Sequence, residues 1–322
     1  MTDTKLKTYE GNCHCGAIKF SVALPPLESA PPASCPCSIC TKKGYLFLFP
    51  PKSALAVTKG GGTDGLGGGV LAAYTVDDKQ AEHRFCATCA MPFGIVRLGA
   101  APDSSVALNA RMLQGVDLWV LGDSEVPALH AAGAYAPPAF PGLEALAAVP
   151  LPAGEKLYPG SCHCGAVTFA LTSPWLLDDA GPADTENNSV AECDCSTCIR
   201  HAGFYTYPRP ASRVAVAAAP PDALATYFSA QGNGFGGTQF CRVCGCVLFQ
   251  HIVGPPAARV AALPPHVQAR IRDKCDVRPV QVRALDFVLG RTEGERAEWA
   301  RVRATVKRER ASAEGKAYVV PE

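Results

Sequence analysis

Ten residues near the N-terminus recur half a chain later. Gly11-Asn-Cys13-His-Cys15-Gly-Ala-Ile-Lys-Phe20 and Gly160-Ser-Cys162-His-Cys164-Gly-Ala-Val-Thr-Phe169 agree at seven of ten positions. Each copy sets two cysteines one residue apart, follows them with glycine, and runs into an alternating apolar stretch. Repeated beside other closely spaced cysteines, that pattern points to metal ligation.

The rest of the cysteines follow the same duplication. The first copy continues with Cys35-Pro-Cys37-Ser-Ile-Cys40 and Phe85-Cys86-Ala-Thr-Cys89; the second continues with Cys193-Asp-Cys195-Ser-Thr-Cys198 and Phe240-Cys241-Arg-Val-Cys244. Offsets between matched groups are 149, 158 and 155 residues, a domain-sized period that drifts with loop length. Leu71-Ala-Ala-Tyr74 and Leu224-Ala-Thr-Tyr227 add a fourth match. At 322 residues, the duplication predicts domains at 1–125 and 158–290, an Ala/Pro-rich linker at 126–157 and a charged tail at 291–322.

Composition narrows the class. With 48 % hydrophobic and 18 % charged residues the chain is expected to be globular, and a net charge of +1 gives no clear nucleic-acid surface over the whole chain. The first residues carry no apolar signal-peptide core, and no run of ~18 apolar residues offers a membrane span. A cytoplasmic location, with nuclear possible, is therefore the expectation, and 16 cysteines there favour metal ligands over disulfides. By the same reasoning the Asn187-Asn188-Ser189 sequon is expected to stay unmodified.

Short apolar runs bounded by Gly, Pro, Asp and Ser read as strands. In copy one these are Ala17–Leu24, Tyr45–Phe49, Val70–Val76, Phe93–Leu98 and Val106–Leu113. Copy two offers Ala166–Thr172, Phe204–Tyr207, Arg213–Ala217, Leu224–Phe228, Cys246–Val253 and Arg259–Leu263. The fold class is mainly β: two tandem zinc-stapled units, each with a small antiparallel sheet, and a short C-terminal helix. Val126–Pro152 reads as a semi-rigid linker with a short helix at Leu143–Ala148. Pro174–Ala191 is an insertion of copy two. Arg291–Arg310 is expected to be helical with Trp299, Val302 and Val306 as one apolar stripe, either a basic docking surface or a solvated helix packed on copy two.

Structural zinc takes four thiolates, commonly as two close pairs. Cys13, Cys15, Cys86 and Cys89 would close one such site, and Cys162, Cys164, Cys241 and Cys244 the other. Gly245 lets the backbone turn after the second pair, whereas copy one has Ala90 there. The middle groups, Cys35/Cys37/Cys40 and Cys193/Cys195/Cys198, bring three thiolates each, with Cys246 and Cys275 left over. Three-thiolate zinc has an open fourth position, as at catalytic sites. Alternatives remain: a fourth ligand such as His83, His201 or His251, free thiols, or disulfides. His14 and His163 would point away from the metal. Lys42-Lys43 and Arg200-His201 either hold the carboxylates of an anionic thiol, or lower a thiolate pKa, or lie in a solvated loop. Gly60–Gly69 lacks the phosphate-loop ending and reads as a surface loop.

These residues carry a resemblance. Gly-x-Cys-His-Cys-Gly-x-Ile/Val-x-Phe, Cys-x-Cys-Ser-x-Cys with a basic residue and Gly44 or Gly203 after it, and Phe-Cys-x-x-Cys resemble the glutathione-dependent formaldehyde-activating enzyme family, which also includes centromere protein V. The likeness covers Tyr9–Leu113 and Tyr158–Leu263. It implies an Mss4-like (β-tent) fold with two Zn2+ per domain, structural on the outer four cysteines and catalytic on Cys35, Cys37 and Cys40 and on Cys193, Cys195 and Cys198. It also implies carbon–sulfur bond formation or cleavage with glutathione and formaldehyde. A non-catalytic zinc scaffold and a zinc-thiolate redox sensor are the other two readings.

Overall fold

The computed structural model describes residues 5–62, 65–66, 68–76, 81–122, 124–128, 135–173, 190–310 and 318–322. Most of the expected insertion at Pro174–Ala191, including the Asn187 sequon, and part of Gly60–Gly69 lie outside the described residues. Among the described residues no helix is long and apolar enough to cross a membrane.

The first 125 residues supply strands β1 (Lys7–Asn12), β2 (Lys19–Leu24), β3 (Ala33–Ser34), β4 (Phe47–Leu48), β5 (Leu55–Lys59), β6 (Leu71–Thr75), β7 (Ala81–Cys86), β8 (Pro92–Arg97), β9 (Val106–Asn109) and β10 (Ser124–Glu125). Residues 156–309 supply β11 (Lys156–Ser161), β12 (Val167–Ser173), β13 (Ala191–Cys193), β14 (Phe204–Thr206), β15 (Val214–Ala218), β16 (Leu224–Tyr227), β17 (Gly236–Cys241), β18 (Val247–Ile252), β19 (Val280–Gln281) and β20 (Lys307–Glu309). Short helices are α1 (Ser38–Lys43), α2 (Leu118–Leu121), α3 (Leu143–Ala147), α4 (Ser196–Arg200), α5 (Ala257–Ala261), α6 (Pro265–Cys275) and α7 (Glu293–Thr305).

The chain is mainly β, and each half builds two sheets rather than the single small one expected. The first half pairs β1-β2-β5 and, in a seven-stranded sheet, β10-β3-β4-β9-β8-β7-β6; the second pairs β11-β12-β15 and β20-β13-β14-β19-β18-β17-β16. The two seven-stranded orders correspond at every position. The pairing is not wholly antiparallel: β10 with β3, and β20 with β13, run parallel at the sheet edges. Alternation shows where one face meets the core, as in β2, where every second side chain from Phe20 to Leu24 is buried.

One expected strand is a helix. Arg259–Leu263 falls on α5, because Pro255-Pro256 starts a helix whose Ala-rich continuation has strong helical preference. Pro264-Pro265 then starts α6 in the same way. The counterpart of Val106–Leu113 is instead Val280–Leu285. Both segments leave a strand, make a 3-10 turn (Ala110–Met112 or Val282–Ala284), and bridge back to the first glycine of the repeat, Gly11↔Leu113 and Gly160↔Leu285. The strand expected at Val106–Leu113 correspondingly stops at Asn109. The C-terminal helix is shorter than Arg291–Arg310, opening on a Thr292/Glu295 capping box and ending at Thr305. Val302 is buried, with Trp299 and Val306 packed against the same core.

The two cores are not divided between the halves. One buried cluster joins Cys37, Ile39, Tyr45 and Phe47 to Cys162, Phe169, Leu248 and Phe249; the other joins Cys13, Phe20, Phe93 and Leu108 to Tyr205, Tyr227 and Phe240. The helices that follow the middle cysteines form the seam. α1 ends in the left-handed Gly44 (φ 61°) and α4 is followed by the left-handed Ala202 (φ 51°). These equivalent residues face each other, and a Cβ on Gly44 would lie 2.3 Å from that of Ala202. One side chain fits there and two do not.

Gly44→Ala is therefore expected to lower stability by about 1–3 kcal/mol in urea unfolding, from overpacking plus left-handed backbone. Adding Ala202→Gly should recover the packing part, a non-additivity readable in a double-mutant cycle. Purely additive losses would show that the two positions do not share one space.

Candidate metal centres

The outer cysteines converge from a tight turn and a hairpin. Between β1 and β2 the chain turns at Gly16 (φ 74°), the Cys13 amide bonds to the Ile18 carbonyl (3.1 Å), and the Ile18 amide points at Cys13 Sγ (3.4 Å). In the second half Cys162, Gly165 and Val167 repeat these contacts. Cys86 and Cys89 lie at the β7–β8 turn, and Cys241 and Cys244 at the β17–β18 turn. In each hairpin a register shift falls just before the first cysteine, at Arg84/Phe85 and Gln239/Phe240.

Ala90 does not disturb the first turn: it takes the left-handed conformation (φ 59°) that Gly245 takes in the second (φ 71°), and each donates its amide to the first cysteine's carbonyl. Gly245 is fixed by a neighbour as well, since a Cβ there would lie 2.5 Å from Cγ of Phe85 in the first half.

The ligand atoms within each cysteine group lie within 4.8 Å of one another, giving the two expected sets of four and two sets of three. Within the outer sets, Cys13–Cys15 and Cys15–Cys86 are both 3.5 Å between sulfurs, and Cys162–Cys164 and Cys164–Cys241 are 3.5 and 3.6 Å. A disulfide needs ~2.05 Å, while four sulfurs ~2.3 Å from a tetrahedral zinc lie ~3.8 Å apart. The donor sets fit a thiophilic cation such as zinc, and all 16 cysteines are free of disulfides.

The middle sets differ in exposure. Cys35, Cys37 and Cys40 are buried, whereas Cys193, Cys195 and Cys198 are half-buried. Sharing of hydrogens spreads their proton affinities. The hydrogen bond with Cys35 pushes the Cys37 thiol up to about 11, and burial pushes Cys40 well up. Hydrogen bonds from Cys193 and Cys198 hold Cys195 down to about 2, while those same two neighbours of Cys198, Cys193 and Cys195, push its thiol up. A bound cation would replace the shared protons.

Among the described residues no histidine or carboxylate joins either set of three. His201 instead donates from Nε2 to the Cys89 carbonyl (2.6 Å), and burial pulls its pKa down to about 4. His83 packs by Tyr45, and His251 by Phe228.

The basic pairs after the third cysteines are buried rather than set in a solvated loop, and most of their polar contacts run to the other half. Lys42 is buried, bonding the Ser161 and Ala284 carbonyls (3.0 Å each) and Asp286 Oδ1 (3.3 Å) of the second half. Its counterpart Arg200 reaches Asn12 Oδ1 of the first half (3.3 Å) and lies 4.6 Å from the Tyr318 ring centre. Burial pulls Lys43 below the usual ammonium range, and the thiols of Cys246 and Cys244 oppose that shift.

A cleft of ≈ 490 Å³ opens beside Cys35 and Cys40. Its walls come from both halves and α7. They carry Arg111, Arg283, Arg296, Arg303 and Arg308 against Glu125 and Glu192, an excess of positive charge in a chain of net +1. Arg303 stacks over Trp299 (5.5 Å) and has no carboxylate partner among the described residues. Trp119, Phe204 and Trp299 supply aromatic surface. The individual arginines carry no motif by which the sequence would single them out; Arg111 and Arg283 occupy equivalent places after β9 and β19.

Metal analysis of the purified chain should find about four zinc ions, one per group. Cys37→Ser and Cys195→Ser should each remove one, and a wild-type content fixed at two would exclude metal at the three-cysteine groups. Lys42→Met, which strands the buried Asp286 carboxylate, should cost roughly 3–5 kcal/mol of stability in denaturant unfolding.

No protein-family model matches the chain. A crystal structure of a Rhodobacter sphaeroides protein is 29 % identical over 36 % of this chain and 97 % of its own, at a TM-score of 0.30, too slight an overlap to bear on fold or function.

Proposed function

We propose that the protein is a zinc-dependent carbon–sulfur lyase acting on a thiol–aldehyde adduct such as S-hydroxymethylglutathione. The observation that carries this reading is the first three-cysteine group: three thiols within 4.8 Å, no further His, Asp or Glu ligand among the described residues, and an arginine-rich cleft against two of them. The cysteine pattern's resemblance to the formaldehyde-activating family and its Mss4-like fold supports the same assignment. Zinc on three thiolates leaves a position at which a substrate thiol loses its proton readily.

The chain's own residues would do the rest. Cys35, Cys37 and Cys40 would hold the metal, with Cys35 and Cys40 at the cleft wall. Arg296 and Arg303 of α7 offer planar donors to the carboxylates of a glutathione-like thiol. Trp119 and Trp299 cover the apolar part of the ligand and keep water from the sulfur. The second group would act likewise through Cys193, Cys195 and Cys198. A non-catalytic zinc scaffold is the second reading, favoured by the burial of α1 in the seam between halves.

The test is NMR detection of adduct formation and breakdown with glutathione and formaldehyde. Zinc-loaded protein should exceed the spontaneous rate. The Cys37→Ser/Cys195→Ser double variant should return it to background, and Arg303→Gln should raise KM several-fold with kcat little changed. A wild-type rate equal to the uncatalysed one would leave the scaffold reading standing.

A further inference from the structure

The Cys-His-Cys turn carries a histidine between its two ligands, and neither copy of that histidine faces its own metal site. His163, 4 % exposed, places Nε2 2.9 Å from Ser38 Oγ and Nδ1 2.9 Å from Tyr74 Oη, both of the first half. Ser38 directly follows Cys37. The other copy repeats this in reverse. His14, 2 % exposed, places Nδ1 2.9 Å from Tyr227 Oη and Nε2 3.1 Å from both Ser196 Oγ and Thr197 Oγ1. Those two residues directly follow Cys195. A tyrosine also stacks on each imidazole and donates to the histidine's own carbonyl: Tyr135 for His163 (2.9 Å) and Tyr318 for His14 (2.8 Å).

Both nitrogens of each ring thus bond to the opposite half, and one tyrosine stacks on each ring while a second meets it edge-on. A local structural role for the histidine would need contacts within its own half. Two independent copies of one crossed arrangement, built from matched residues, indicate a shared purpose.

We infer that each Cys-His-Cys turn is a positioning device for the three-cysteine site of the other half. It holds the first turn of the helix whose leading residue follows the middle cysteine, through Ser38 in one direction and through Ser196 and Thr197 in the other. The inference rests on the reading of the three-cysteine groups as metal sites. It makes those sites depend on the intact duplication: His163 serves Cys35, Cys37 and Cys40, and His14 serves Cys193, Cys195 and Cys198. The crossing is uneven, because Ser38 is followed by the hydroxyl-free Ile39, whereas Thr197 can stand in for Ser196.

The test is alkylation of the zinc-loaded full chain with N-ethylmaleimide, read cysteine by cysteine by peptide mass mapping. His163→Ala should speed modification of Cys35, Cys37 and Cys40 about tenfold, the scale on which outer-shell partners affect metal sites, and leave Cys193, Cys195 and Cys198 at wild-type rates. His14→Ala should do the opposite. Ser38→Ala should reproduce His163→Ala, while Ser196→Ala alone should change little. Faster alkylation confined to the mutated histidine's own half, at Cys162 and Cys164 for His163→Ala, would show a local structural role and overturn the inference, as would no change at any cysteine. If an alanine variant fails to fold, Tyr74→Phe and Tyr227→Phe remove one ring contact each and should give the same crossed pattern, smaller in size. A chelator control separates the two claims. Wild-type rates at Cys35, Cys37 and Cys40 that ignore chelator would refute metal at that group, while the crossed comparison among variants would still decide the positioning.

Discussion

Fourteen thiols gathered into four tight groups depend on one interaction, the neutralisation of their charge. Thiolates packed 3.5 Å apart and buried would repel strongly, and thiols there are poor hydrogen-bonding partners. A divalent cation would relieve that repulsion in each group and would make each outer group a cross-link between segments remote in sequence. In the outer sets the ligands come from a turn and a hairpin 71 residues apart, as with Cys15 and Cys86. The short strands around them, several of two or three residues, have little pairing energy of their own. A bound cation would thus hold the sheets at their cysteines, and the backbone amides aimed at Cys13 and Cys162 favour the charged sulfur.

The seam between the halves follows from the same need. Cations are brought to the thiol groups from across the interface: Lys43 faces Cys244 and Cys246, while Lys42 is anchored beside the neighbouring turn at Ser161 and Asp286. Such side chains could not be buried without the partners that the other half provides. Duplication within one chain also permits what two identical chains could not. Gly44 meets Ala202, and Gly245 meets Phe85; in each pair the residue without a Cβ appears in one half alone. Ala90 and Ala202, which occupy the matched left-handed positions, carry a modest backbone cost that their settings tolerate.

Much of this was legible in the sequence. The cysteine groups and their assignment to sets of four and three rest on spacing, because ligands must converge within a few ångströms and tight turns set which can. Strands bounded by turn residues were readable for the same local reasons. What failed was non-local. Arg259–Leu263 reads as a strand because Ala-rich apolar runs after proline pairs read equally as strand or helix, but α5 and α6 are inserted there, before the counterpart of Val106–Leu113. The basic pairs after Cys40 and Cys198 looked like surface or substrate residues because no one-dimensional pattern says that a lysine will cross into another core. The Tyr-x-x-Pro segments at Tyr135 and Tyr318 form one more repeat, separated from the others by unrelated lengths of chain. Pro138 packs on Gly165 and Pro321 on Gly16.

These contacts bear on where chemistry can occur. A site with one candidate ligand on a six-residue helix and another at its N-cap has little local rigidity, since so short a helix is unstable alone. Rigidity must come from what it packs against, and here that is the opposite outer cysteine turn with its histidine. The histidine's commitment to Ser38 or to Ser196 and Thr197 links two ligand sets that share no residue. The halves are therefore interlocked, each Cys-His-Cys turn bonded to the first residues of the other half's short helix. The cleft beside Cys35, walled by α7 from the far end of the chain, is the place where that mutual support leaves room for a ligand. The arginines contributed by α7 have no equivalent in the four-residue α2, which offers Trp119 but no basic side chain, so the two halves have diverged in what they bring to this cleft even while the frame that holds the cysteines stayed the same.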